Sequence, residues 1–175
     1  MTKSIALLPP RRRLVSCAGF TLVELAVVVL IIGLLAALGV PAYRRVTRSA
    51  KNTAVMNDFR VFANAFQHYV SDNGGNWPAE QATGTAFPAG MQNYLRTSNW
   101  GVRTPFGGTY NWDYNQTHQG RVVKAAIAIY AGTNTPVTVT TAELLEFDKK
   151  FDDGNLATGT FQQGYQNCPL YIIEP

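Results

Sequence analysis

Apolar and polar positions change their period three times along this chain, and each change predicts an element. Residues 20–40 are apolar almost throughout, with Glu24 the one charged side chain among 21 positions. At about 1.5 Å of rise per helical residue the run spans roughly 30 Å, the thickness of a bilayer's hydrocarbon core. A single-pass transmembrane helix follows. Beyond Pro41 the pattern narrows to a stripe, with Val55, Phe59, Phe62, Phe66 and Tyr69 recurring at intervals of four, three, four and three. That is the helical period, and it predicts an amphipathic extension to about Val70. Pro41 lacks a backbone donor and crowds the preceding turn, so it can bend the helix without ending it. Ser71-Asp72-Asn73-Gly74-Gly75 reads as the stop.

Residues 71–175 form a head of about 105 residues, enough to bury one modest core with the second half of the helix. Residues 76–99 are rich in Gly, Pro, Ala and Thr and predict a connecting loop, with a short helix near residues 90–96. Pro105-Phe106-Gly107-Gly108 turns into Tyr110-Asn111-Trp112-Asp113-Tyr114, where aromatic and polar residues alternate as in a half-buried strand. Residues 116–120 predict the turn of a hairpin, which places His118 in a polar loop. Residues 121–130 return as a strand with Val123, Ala125, Ile127 and Ile129 on one face. Thr140, Thr141 and Glu143 open a short helix over about 141–151 that carries Leu144, Leu145 and Phe147. Residues 158–165 and 170–173 predict further strands. The fold class is α+β: a long N-terminal helix packed on a small antiparallel sheet of two or three strand pairs.

Glu24 is the chemical anomaly. A lone carboxylate inside a membrane span costs on the order of 2.5–3.5 kcal/mol on insertion scales, so such an acid is a functional residue by default. The bland alternative is a glutamate at a helix end that snorkels to the interface. Net charge adds less than its value of +4 suggests. Four of the fifteen lysines and arginines, Lys3, Arg11, Arg12 and Arg13, precede Gly19; without them eleven basic residues balance eleven acidic ones. No nucleic-acid partner is expected, the one basic cluster being Arg44, Arg45, Arg48 and Lys51, just beyond the span.

The string Gly19-Phe20-Thr21-Leu22-Val23-Glu24, the apolar run behind it and Pro41-Ala42-Tyr43 together resemble the N-terminus of type IV pilins and type II secretion pseudopilins. The resemblance covers about 27 of 175 residues. It implies that residues 1–19 are a leader, removed by a prepilin peptidase that cuts after Gly19 and methylates Phe20. It also places the family's assembly glutamate at Glu24 and its helix-bending proline at Pro41. The leader departs from the family pattern in having Cys17-Ala18, not a basic residue, before the glycine. Cleavage creates an α-amino group on Phe20. Between staggered neighbours that amine can meet another subunit's Glu24 in a low-dielectric setting, where attraction is several-fold larger than in water. Losing Cys17 with the leader leaves Cys168 alone, so no intrachain disulfide can form in the mature chain. Many type IV pilins staple a C-terminal loop with a cysteine pair, which inclines the comparison towards a pseudopilin.

Other processing patterns compete. Leu14-Val15-Ser16-Cys17 matches a lipobox by letter but has no apolar region before it, and Ala37-Leu38-Gly39 could serve a signal peptidase. An uncleaved signal anchor would leave the head on the same side.

Catalytic chemistry is sparse. His68 falls on the helix flank and His118 in the hairpin turn, and no Ser or Cys nucleophile is placed beside a histidine with an orienting acid. No CxxC, HExxH or phosphate-cradling glycine loop occurs. No enzyme activity and no cofactor are expected. The exception to weigh is Asp148, Asp152, Asp153 and Asn155 around Gly154, oxygen ligands of the kind calcium favours. Major pseudopilins often hold calcium in a head loop. The bland reading is a helix C-terminus followed by an Asx turn. Trp77, Trp100, Trp112, Tyr94, Tyr110 and Tyr114 read as core filling, or else as an exposed patch for a partner.

Two functions from different classes stand. One is a structural subunit, staged in the inner membrane with its head in the periplasm and drawn into a homo-oligomeric filament with sibling pilins. Its partners are a prepilin peptidase and an inner-membrane assembly platform. The other is a signal-anchored periplasmic binding protein or enzyme that uses the helix only as a tether.

Overall fold

A computed structural model describes residues 19–82, 86–132 and 134–175. The chain divides into two compact units, Met1–Arg44 and Arg45–Pro175. The leader and its Cys17 lie outside the described residues.

Helix α1, Leu22–Asp72, belongs to both units and contains Pro41 without interruption. In the first unit its side chains are exposed on every face, as expected of a helix apolar all round. In the second unit it buries one stripe: Val55, Phe59, Phe62 and Phe66 are fully buried, with Met56 and Ala63 beside them. The helix ends where left-handed backbone begins, at Gly74 (φ 67°) and Gly75 (φ 86°), which only glycine adopts without strain.

The rest of the second unit is the short helix α2 (Gln92–Leu95), strands β1 (Thr109–His118) and β2 (Arg121–Tyr130), helix α3 (Thr141–Phe151), and strands β3 (Phe161–Gln163) and β4 (Pro169–Glu174). The sheet is antiparallel throughout, in the order β1-β2-β4-β3. Its inner face meets the α1 stripe through aromatic rings. Phe66 stacks on Trp112 at 3.9 Å, Phe62 meets Tyr110 edge-on at 4.7 Å and Trp100 at 5.0 Å, and Phe59 stacks on Tyr171 at 5.1 Å. Each such fully buried ring contributes about 1.5–3 kcal/mol by burial, with about 0.5–1.5 kcal/mol more per well-placed ring pair. Core filling is thus what Trp100, Trp112 and Tyr110 do, and no exposed aromatic patch forms from them. Asp58 of α1 ties the layers together, accepting from Tyr110 Oη at 3.0 Å and Asn99 Nδ2 at 3.2 Å.

In β1 and β2 three sequence expectations change. Strand β1 runs to His118, so the hairpin turn shrinks to Gln119 and Gly120; polar residues 116–118 pair with β2 as the aromatics before them do, while Asn115 between them takes left-handed backbone (φ 52°). His118 is consequently buried, not a loop residue. Val123 leaves the face of Ala125, Ile127 and Ile129 and joins Ala126, Ala128, Cys168 and Leu170. The change falls between Val123 and Ala125, opposite Asn115, whose backbone is left-handed (φ 52°), and the pairing with β4 is irregular next to it, between Ala125 and Ala126.

Candidate functional site

Residues 19–21 are non-helical, and α1 begins at Leu22. Gly19 and Phe20 are exposed, Phe20 by 78%. Glu24 sits in the first turn, where the sequence left it without a partner. The structure supplies one. Glu24 Oε2 accepts from Thr21 N at 2.8 Å and Thr21 Oγ1 at 2.9 Å, while Glu24 N donates to Thr21 Oγ1 at 3.2 Å. This is a reciprocal cap, in which a threonine and a glutamate three residues on satisfy donors that a helix start leaves orphaned. The helix dipole favours the acid there too. The Thr-x-x-Glu spacing was visible in the sequence and is the signal that reading Glu24 as isolated overlooked.

Around the cap every side chain from residue 19 to 46 is exposed, including Leu22 at 86% and Leu38 at 77%. Among the described residues α1 is the one helix long and apolar enough to cross a membrane. An apolar surface of this extent marks a partner or a bilayer.

A second cluster closes α3. Asp148, Asp152 and Asp153 each place a carboxylate oxygen within 4.8 Å of the others. Asp148 is fully buried, and neither of its oxygens has a well-formed hydrogen bond. Burial first, then the charges of Asp152 and Asp153, raise its pKa, while the nearby amides of Gly154 and Asn155 oppose the shift. Asp152 Oδ2 accepts from Phe161 N at 2.8 Å, and Asp153 accepts from Asn155 N at 2.8 Å and Thr158 Oγ1 at 2.6 Å. Asn155 Oδ1 accepts from Ala157 N at 3.2 Å. The Asx turn is therefore present, with Gly154 at φ 82°. Three carboxylates, one of them buried without a well-formed hydrogen bond, nevertheless fit a divalent cation.

The remaining candidates do not assemble a reaction centre. His68 is exposed on α1. His118 lies 3.0 Å from Asp113, both nearly inaccessible. Cys168 is buried, and burial, reinforced by the charge of Asp113, pushes its thiol up to about 12, which makes it a poor nucleophile.

Comparison with known proteins points to the helix. Residues 15–40 match the family described as the prokaryotic N-terminal methylation motif. The chain is 30% identical to a fimbrial protein of Eikenella corrodens over 122 residues, 70% of this chain and 61% of the relative. It is 38% identical to a type IV major pilin of Neisseria gonorrhoeae over 41% of this chain and 33% of the relative. It is 45% identical to type II secretion system core protein G of Pseudomonas aeruginosa over 32% of this chain and 39% of the relative. The chain thus spans between a third and three-fifths of these relatives' length. A solved major type IV pilin from Clostridium difficile matches with a TM-score of 0.50 at 17% identity, over 75% of this chain and 98% of that one. The fold, a long N-terminal helix with a four-stranded antiparallel sheet, is the type IV pilin fold.

Proposed function

We propose that this chain is a pilin-like structural subunit of a type IV pilus or a type II secretion pseudopilus. The observation that carries the reading is the stretch of α1 over residues 22–40, apolar and exposed on all sides, whose one acid, Glu24, is capped five residues after Gly19. Prepilin peptidase hydrolyses the bond between Gly19 and Phe20, and methyl transfer to the new amine follows. Thr21 and Glu24 both stay in the mature chain, so the cap survives processing. In the bilayer of the inner membrane Thr21 lowers the cost of burying Glu24. On assembly the amine of a neighbour's Phe20 competes for the carboxylate, and the attraction is realised only when helices stagger in register. The assembly platform and sibling pilins are partners in this reading, with the head in the periplasm. In this reading Pro41 is the position at which the helix can bend. The discriminating experiment is recovery in sheared or sedimented filaments on co-expression with a pilus or secretion machine. Incorporation supports the subunit, and retention of all the chain in the membrane supports a tethered binding protein or enzyme.

The buried, unpartnered Asp148 favours a second proposal about the same subunit. Asp148, Asp152 and Asp153 would hold calcium, whose charge would offset most of the cluster's and tie down the loop between α3 and β3. Resistance of the head to protease in calcium and its loss in EDTA supports this reading; indifference to EDTA removes it.

A further inference from the structure

A strained turn at the end of the sheet is held down by a buried histidine. Between β3 and β4 the chain passes through Gln166 and Asn167, both in left-handed backbone (φ 51° and 61°). Asparagine tolerates that conformation better than glutamine, and two such residues in succession persist only where their surroundings impose them. The turn's own bonds, Gly164 N to Cys168 O at 2.8 Å and Cys168 N to Tyr165 O at 3.0 Å, close it, and the tip of the β1–β2 hairpin holds it to the sheet. Tyr165 N donates to His118 Nδ1 at 3.3 Å, and Gln119 Nε2 donates to the carbonyls of Gln163 at 2.9 Å and Gly164 at 3.3 Å. Gly164 abuts the ring so closely that a Cβ there would lie 2.7 Å from His118 Nδ1 and 2.8 Å from Cys168 Sγ.

An imidazole that accepts at Nδ1 carries its neutral proton on Nε2. That nitrogen faces Asp113 Oδ2 at 3.0 Å, within ion-pair range but poorly aligned for a hydrogen bond. Asp113 is held in turn by Tyr130 Oη at 2.7 Å and Asn111 Nδ2 at 2.8 Å. The other ionisable groups around the ring come from three elements: Glu80 ahead of β1, Cys168 ahead of β4, and Arg121 at the start of β2, whose guanidinium turns to Gln162 at 2.5 Å.

Protonation acts differently at the two nitrogens. On the Nε2 side a positive ring is drawn more strongly to Asp113 and stays in place. On the Nδ1 side an acceptor becomes a donor, aimed at the Tyr165 amide that it had been holding. We propose that residues 164–167 form an acid-released strap. Neutral His118 clamps the strained turn, and protonated His118 lets it lift while the hairpin beneath stays folded. Tyr165 is 58% exposed, so release remodels the surface of the head and not its core.

The test is amide hydrogen exchange on the full chain in detergent micelles at about pH 8 and about pH 5, either side of the range where histidines change charge. Rates are corrected for their intrinsic pH dependence. Protection of residues 164–168 is expected to fall about tenfold on acidification, the worth of one net hydrogen bond, with β2 unchanged. His118→Gln keeps a donor and an acceptor but cannot titrate, and its protection is expected to be equal at both pH values. No fall in the wild type, or the same fall in the variant, overturns the proposal. If the variant misfolds, the ring nitrogens of the wild type decide by NMR. A proton on Nε2 at about pH 8, with Nδ1 gaining one as the strap loses protection, supports it. A proton on Nδ1 at about pH 8, or protonation without loss of protection, overturns it.

Discussion

Thr21 and Glu24 open α1 much as Thr140 and Glu143 open α3, with hydrogen bonds that differ by about 0.2 Å or less. In α3, Glu143 Oε2 accepts from Thr140 N at 3.0 Å and Thr140 Oγ1 at 3.0 Å, and Glu143 N donates to Thr140 Oγ1 at 3.3 Å. The surroundings are opposite. Glu143 also has Arg48 at 3.2 Å, and the turn it caps carries Leu144 and Phe147 into the core. Glu24 is capped among exposed apolar side chains, and among the described residues no cation pairs with it. Both Thr21 bonds fall on Oε2. The lesson is that a cap completes an acid in water but only makes it tolerable in lipid. The same Thr-x-x-Glu box closes a local account in α3 and, in the proposed filament, leaves α1 with an acceptor for a second chain.

The sharpest way to break the comparison is to remove both acids in turn. Glu24→Ala is expected to lower incorporation into filaments at least about tenfold, the scale of a lost desolvated charge pair, with the head's stability unchanged. Glu143→Ala is expected to leave incorporation intact. Equal incorporation of both variants in a shearing assay would show that the surroundings of Glu24 do not matter.

The far end of α3 gives the next effect. If Asp148 helps to hold calcium, a hundredfold excess over Kd stabilises the head by about 2.7 kcal/mol, read as a rise in melting temperature. Without metal, the raised pKa of Asp148, set first by burial and then by Asp152 and Asp153, means that its ionisation weakens the fold as pH rises through the folded value. Asp148→Asn is therefore expected to raise stability in EDTA and to abolish the calcium response. A calcium response retained by the variant would dismiss Asp148 as a ligand.

Within α3 the cap itself is worth about 1 kcal/mol, so Thr140→Ala and Glu143→Ala each cost about that in denaturant melts. Thr140's donors, helped by Arg48 and Lys51, hold the Glu143 carboxyl below its ordinary value. A depressed acid contributes stability above its unfolded pKa and loses it as pH falls through the folded one. The gap between wild type and Glu143→Ala is thus full at neutral pH and closes below about 4.5, the ordinary glutamate value. A gap that persisted in acid would assign the effect to packing. The smallest effect belongs to Arg48, whose ion pairs with Glu143 and Glu146 are half exposed; Arg48→Ala costs at most about 1 kcal/mol, less at high salt.

What could be read in advance followed from patterns that repeat locally. The spacing of Val55, Phe59, Phe62 and Phe66 announced the buried stripe, and Thr140 with Glu143 announced α3 at its observed bounds. The apolar run announced the exposed half of α1. His118 escaped because its burial depends on Asp113, Tyr130 and Gly164, which come together only once the sheet closes. The sequence predicts a strand over residues 158–165, but Asp152 and Leu156 take the backbone donors of Phe161 and Gln163 and leave β3 three residues long. Of the candidate site, the order of Gly19, Phe20 and Glu24 was plain, whereas the orphaned state of Asp148 needed a structure to be seen.

Mass spectrometry of the intact chain, extracted from membranes of cells that hold a prepilin peptidase, tests the central claim most directly. The account predicts a protein that begins at N-methylated Phe20, with Thr21 and Glu24 behind it. A chain still carrying its leader, or one cut within residues 37–40, would contradict it and return the helix to the role of a tether or a signal.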